Sequence, residues 1–146
     1  MDEALTIPNK SFFKAVEDYL IEGKSIQIKV KGNSMLPFLF NGDNIELSKI
    51  EKGACKIGEV VLAKWKDGYV LHRVIFKGRK RFYLVGDNNL FQIERINPES
   101  VIARVISAHR EGSSIDIQKI GPRIKGICWF LLRPFRWIMI KLKKSK

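Results

Sequence analysis

Cysteine is scarce in this chain. Cys55 and Cys128 are the only two in 146 residues. They stand far apart, and neither lies beside a histidine pair, so neither a disulfide framework nor a zinc signature is encoded. A reducing compartment is the simpler expectation. Long apolar runs are missing too. No stretch of about eighteen uncharged apolar residues occurs, which argues against a conventional membrane-spanning helix. The Met-Asp-Glu start lacks a basic-then-apolar pattern, so a secretory signal is not expected. There is no internal repeat and no low-complexity segment. Histidine is nearly absent as well, with His72 and His109 the only two. That shortage narrows the choice of any base to a pair of positions.

What is present fits one folded domain: 45% hydrophobic and 29% charged residues are ordinary for a globular chain. The formal net charge of +12 is unevenly placed. Residues 123 to 146 hold eight lysines and arginines and no acid, whereas the preceding 122 hold nineteen basic and fifteen acidic side chains, a balance of only +4. A nucleic-acid binder more often spreads basic residues over a folded face or recognition helix. The pattern reads instead as a basic anchor on a nearly neutral domain, and no nucleic-acid partner is expected.

Residues 10 to 22 predict an amphipathic helix, with Phe12, Phe13, Val16, Tyr19 and Leu20 at helical spacing, Asn9 or Ser11 as cap and Gly23 as stop. The period then drops to two at Ile26, Ile28 and Val30. Segments 43–48, 59–65, 69–76, 81–85, 101–108 and 114–119 also read as strands. Lys66-Asp67-Gly68 and Lys77-Gly78-Arg79 read as hairpin turns in which glycine takes a positive φ. The expected fold is mainly β, a single coiled antiparallel domain with an N-terminal helix and a C-terminal basic amphipathic helix. The expected divisions are 1–23, 24–122 and 123–146.

The most informative segment is Gly32-Asn33-Ser34-Met35-Leu36-Pro37, directly after an alternating strand. A serine presented at such a turn is placed to act as a nucleophile, with nearby backbone N–H groups to stabilise an oxyanion. By itself this is an ordinary turn, since turn serines usually bond their own backbone. A nucleophilic serine needs a base. His72 lies in a strand, sharing a face with Val70, Val74 and Phe76, where a histidine is more often a hydrogen-bonded core residue. His109 reads as a surface residue. Asp87, in Val85-Gly86-Asp87-Asn88-Asn89, is placed to orient an imidazole or simply to hold a turn.

Together these segments resemble the signal peptidase I clan of serine peptidases, which includes the self-cleaving repressors of the SOS response. The resemblance rests on Gly32 to Pro37, Asn41-Gly42-Asp43, Ile57-Gly58-Glu59-Val60-Val61, His72-Arg73-Val74 and Gly86 to Asn89, and covers roughly residues 24 to 110. Most bacterial members carry lysine where this chain has His72, so the match looks like the archaeal and endoplasmic-reticulum branch. The resemblance implies Ser34 as nucleophile, His72 as general base and Asp87 as supporting acid. It also implies oxyanion support from the backbone around Gly32, Asn33, Ser34 and Met35. It makes Asp43 structural, and it implies no cofactor and no metal. Two departures stand out. Gly32 occupies a position where many signal peptidases have serine. The second aspartate that the endoplasmic-reticulum branch carries shortly after the first is absent; Glu94 is the residue that could substitute for it, and the resemblance does not rest on that.

The 124–142 segment projects as a helix with Lys125, Arg133, Arg136 and Lys143 in one sector and Leu131, Phe135, Ile138, Met139 and Leu142 on a broad opposite face. Pro134 should kink or split it. Trp129, Arg133, Arg136 and Trp137 are the expected contacts of a helix lying in a membrane interface. The alternative is a helix packed on its own domain or on a partner. The expected protein is thus a membrane-associated serine endopeptidase, peripheral and on the cytoplasmic side, acting on leader- or signal-type peptides. A non-catalytic peptide-binding scaffold and a self-cleaving regulator remain open alternatives.

Overall fold

The computed structural model describes residues 9–146. The first eight positions of the expected 1–23 segment, and the Asn9 side chain, lie outside the described residues. Helix α1 spans Asn9–Ile21. It buries Val16 and Leu20 against the sheet and sets the Phe13 ring 5.0 Å from that of Tyr69. Gly23 stops it at φ +80.

Eight strands come next: β1 (Ile26–Lys29), β2 (Asn44–Lys49), β3 (Val60–Trp65), β4 (Gly68–Lys77), β5 (Phe82–Val85), β6 (Glu94–Ile96), β7 (Val101–Arg110) and β8 (Ser113–Ile115). They form one antiparallel sheet in the order β1-β2-β7-β3-β4-β5-β6, with β8 on β7. Register shifts at Glu46/Leu47, Leu62/Ala63 and Val74/Phe76 bend it, because an extra residue on one strand increases local twist. The sheet curls into a half-barrel with apolar packing on both faces. Central β3 shows this best. Val60 and Leu62 join the core under α1, whereas Val61 and Ala63 join a second core with Val74, Phe82, Leu84 and Ile96.

Helices α2 (Ile120–Leu131) and α3 (Arg133–Lys144) complete the chain. The break falls at Leu132, and Pro134 sits in the first turn of α3, where its missing N–H costs no hydrogen bond. Among the described residues, no helix is long and apolar enough to cross a membrane.

The mainly β architecture is the expected one, with local differences. β6 was not foreseen, because three residues reading Glu-Arg-Ile carry no alternation. The expected strand 114–119 shrinks to Ser113–Ile115, and the helix begins at Ile120. In the β3–β4 turn the positive φ falls on Lys66, at 51°, rather than on Gly68. Trp65 pairs with Gly68, so Lys66 and Asp67 are the two loop residues, and the positive φ falls on the first of them, as in a II′-type hairpin turn. Phe76 leaves the His72 face at the β4 bulge and is 55% exposed.

Asp43 holds the turn before β2. Its carboxylate accepts from Arg110 Nε at 2.9 Å, Arg110 Nη2 at 2.7 Å and the Phe40 N–H at 2.7 Å. The Arg110 bonds are the main reason its carboxyl sits below the usual range, against an opposing push from burial. A depressed carboxylate contributes stability that is present above its unfolded pKa, about 3.9, and lost as pH falls through the folded value. Asp43→Asn should therefore flatten the fall of the urea midpoint with acidity below about pH 4. Equal slopes in both proteins would remove Asp43 from the account of acid stability.

Candidate active site

Ser34 stands on the turn that leaves β1, and the turn is pinned at several points. Val30 and the 40–43 segment exchange backbone bonds, Val30 N to Asp43 O at 2.8 Å and Gly42 N to Val30 O at 2.8 Å. Gly32 donates its N–H to Asn41 Oδ1 at 2.9 Å, and buried Met35 and Leu39 anchor the far side of the turn. The carbonyl of exposed Asn33 accepts from the Leu36 N–H at 3.3 Å. Gly32 therefore differs from its expected role. Its N–H is already used, and its contribution is a φ of +82 that turns the chain. Among the described residues, the Ser34 and Met35 N–H groups have no acceptor.

The structure brings Ser34 and His72 together. His72 Nε2 lies 3.3 Å from Ser34 Oγ, at the long end of a hydrogen bond. The imidazole is 5% exposed and held on β4 opposite Val61. His109 is exposed, away from any such partner. On the far side of the His72 ring, Nδ1 is 3.0 Å from Glu94 Oε2. This contact is close but not well aligned, and neither atom has another hydrogen-bond partner among the described residues. Glu94 is fully buried where β6 pairs with β5, opposite Leu84, and its other oxygen accepts from Gln92 Nε2 at 2.9 Å.

Asp87 is not where it was expected. Its carboxylate is turned away from His72 and makes a bidentate pair with Arg73, Nε to Oδ1 at 2.8 Å and Nη2 to Oδ2 at 2.8 Å. Arg73 is 1% exposed and also donates from Nη1 to Gly58 O at 2.7 Å. The physical reason is valence. A buried guanidinium requires a carboxylate, and adjacent residues of β4 point to opposite faces, so Arg73 draws Asp87 to the face opposite His72. Burial pushes the Asp87 carboxyl up, against the downward pull of Arg73. Arg73 is thus the site residue that sequence reasoning missed, and Glu94, read there only as a substitute for a second aspartate, stands behind His72 where Asp87 was expected. A signal existed for Arg73: an arginine next to His72 in an apolar strand needs an acid.

The 86–89 loop closes the site. The Asn88 N–H donates to Ser34 O at 2.9 Å. A Cβ on Gly86 would stand 2.8 Å from Ser34 O and 2.9 Å from His72 Nε2, so only glycine lets this loop touch both groups. Gly86→Ala should widen the Ser34–His72 spacing and cut any Ser34-dependent activity by roughly 10²-fold, the size of effect that about 1 Å of misplacement brings. Wild-type turnover in the alanine variant would show the close approach to be dispensable.

The tail residues expected at a membrane point the other way. Trp129 Nε1 and Arg136 Nη1 both donate to the Asp87 carbonyl at 2.9 Å, and the Arg136 guanidinium lies 4.3 Å from the Trp129 ring. Arg133 is 9% exposed. Burial lowers its pKa, while nearby Glu94 pulls the other way. A Cβ on Gly126 of α2 would collide with the Arg73 guanidinium. These contacts correct the sequence expectation: Trp129 and Arg136 face the domain, where the Asp87 carbonyl accepts from both, and Arg133 is buried beside them. Trp137 alone of the four is exposed, at 37%.

Beside the serine lies a groove of about 400 Å³, bordered by Ile28 to Lys31 and by Tyr69 to His72, with Phe12 and Phe13 of α1 at one wall. Among the described residues, β1 pairs only with β2, and β5 pairs with β4 only from Arg73 onward. Two strand edges are therefore unpaired along this groove. Among the described residues, no group of three His, Cys, Asp or Glu side chains is placed to hold a metal ion.

The curled sheet and the serine–histidine contact are those of a serine-peptidase-like β-domain. The family model described as Peptidase S24-like matches residues 2–106, and the chain belongs to that family. It is a family of serine peptidases and self-cleaving proteins, with some non-catalytic members. No curated protein matches the chain.

Proposed function

We propose that the protein is a serine endopeptidase with Ser34 as nucleophile, His72 as general base and Glu94, in place of Asp87, as the acid that orients the imidazole. The observation that carries this reading is the line Ser34 Oγ, His72 Nε2, His72 Nδ1, Glu94 Oε2, with gaps of 3.3 and 3.0 Å. Ser34 Oγ attacks the scissile carbonyl carbon while its proton passes to His72 Nε2. The imidazolium then gives that proton to the departing amine nitrogen. Water, deprotonated by the same Nε2, hydrolyses the acyl ester and restores Ser34. Contacts of this kind are often loose in a free enzyme and tighten with substrate bound.

The Ser34 and Met35 N–H groups are the oxyanion donors in this reading, for they are otherwise unused. The substrate is an extended peptide that adds as a strand to the free edges of β1 and of β4 at Tyr69–Leu71, the usual mode for an unpaired sheet edge. Leader- or signal-type peptides with small side chains next to the scissile bond are the expected class.

A fluorophosphonate probe tests the nucleophile directly. It should add once to the wild-type chain, at Ser34, and labelling should vanish in Ser34→Ala and fall at least about 10³-fold in His72→Ala, as when an activating base is lost. Labelling that persists in Ser34→Ala, or an unlabelled wild-type chain, means a binding domain that keeps the fold without the chemistry.

A further inference from the structure

The α2–α3 pair docks on the sheet in an inverted sense. An amphipathic helix normally buries its apolar stripe and shows its charges to water. Here α3 meets the domain through Arg133 and Arg136 and leaves its apolar stripe outside. Phe135, Ile138, Met139 and Leu142, at the i, i+3, i+4 and i+7 positions of one face, are 66%, 46%, 57% and 60% exposed. Leu131, one turn earlier, is 65% exposed, and Phe91 in the neighbouring loop is 75% exposed. A row of large apolar side chains this open marks a surface that something covers.

Charge decides what covers it. Lys141 and Lys143 flank the stripe on its two sides, and Lys144 and Lys146 stand at the end of the chain. No acidic residue occurs between 123 and 146. A second copy pairing stripe to stripe would bring lysines against lysines with no acid in the segment to meet them. An anionic lipid surface satisfies both features, taking the apolar row into its acyl boundary and the ammonium groups at headgroup level.

We propose that the stripe of Phe135, Ile138, Met139 and Leu142 on α3, with Leu131 at the end of α2, lies in the interface of an anionic membrane, with its flanking lysines on the headgroups. The contact surface is the outer face of α3, not the Trp129, Arg133 and Arg136 side. That inner side holds the Asp87 carbonyl, in the loop whose Asn88 N–H donates to Ser34 O. The docking does not depend on the peptidase reading.

The test is vesicle flotation of the full chain. Vesicles of equal parts phosphatidylglycerol and phosphatidylcholine should carry the protein, and pure phosphatidylcholine should carry far less. Lys141→Gln/Lys143→Gln/Lys144→Gln should weaken partition to the anionic vesicles about a hundredfold, since each basic group near such a surface contributes close to a factor of five. Ile138→Gln/Met139→Gln should abolish flotation. These side chains are exposed, so unchanged thermal unfolding of both variants is the control for folding. Ser34→Ala should float like wild type, which keeps this result separate from the fate of the catalytic reading. Failure of the wild-type chain to float with anionic vesicles, or equal flotation of the Ile138/Met139 variant, overturns the proposal. So does light scattering that shows a dimer lost in that variant, which would assign the stripe to a second copy.

Discussion

Replacing Glu94 with glutamine should cut turnover about 10⁴-fold while the protein stays folded, as occurs when the acid behind a catalytic histidine becomes an amide. The cause is tautomeric. In the proposed mechanism a carboxylate at Glu94 can only accept, so it holds the ring proton on Nδ1 and leaves the Nε2 lone pair toward Ser34. An amide can instead donate to Nδ1. The ring then carries its proton on Nε2, 3.3 Å from Ser34 Oγ, and cannot take another from it. Loss of the negative charge also removes the partner of the imidazolium formed in the transition state. Peptide cleavage measured beside far-ultraviolet circular dichroism separates this from unfolding. Glu94→Gln at near wild-type kcat would return the orienting role to another group.

Gln92 offers a milder check on the same arrangement. It touches Glu94 through Nε2 at 2.9 Å and does not touch His72, so it positions the acid rather than taking part. The split between Glu94 and Asp87 also shows why the sequence misled at this point. Both acids lie shortly after His72 in the chain, and Asp87 sits in the box that resembles the wider clan. Chain order carries no information about which face of β4 a later carboxylate reaches. The deciding fact was Arg73, whose side chain is one residue from His72 and therefore on the opposite face of the strand. Glu94 arrives on the His72 side only because β6, a three-residue strand without a readable pattern, pairs with β5 and carries it there.

Other parts were legible for plain reasons. The alternation at Ile26 to Val30, the turn at Gly32 and the buried run of β4 are local signals, and the serine and histidine they carry lie 3.3 Å apart. The tail was half legible. Its two faces could be read from spacing, but which face met the domain could not, because the deciding acceptor is the Asp87 carbonyl 49 residues from Arg136. Composition gives no hint of a backbone carbonyl left open to receive a tryptophan and an arginine.

Removing the Asp87 carboxylate should destabilise the fold by about 3–5 kcal/mol, the usual cost of leaving one member of a buried ion pair alone. Arg73 would then keep only Gly58 O and the face of Phe38, 5.1 Å from its guanidinium carbon, with Gly126 of α2 closing the cavity above it. A guanidinium does not escape this by losing its proton. Asp87→Ala is therefore expected to shift the urea midpoint strongly, and Arg73→Met/Asp87→Leu, which removes both charges and restores apolar volume, should recover much of the loss. The same pair of proteins separates structure from chemistry. Under conditions where Asp87→Ala remains folded, its kcat should stay within about tenfold of wild type, since the carboxylate lies on the face of β4 that His72 does not share. A folded Asp87→Ala protein with turnover as low as that of Glu94→Gln would place Asp87 in the proton path after all.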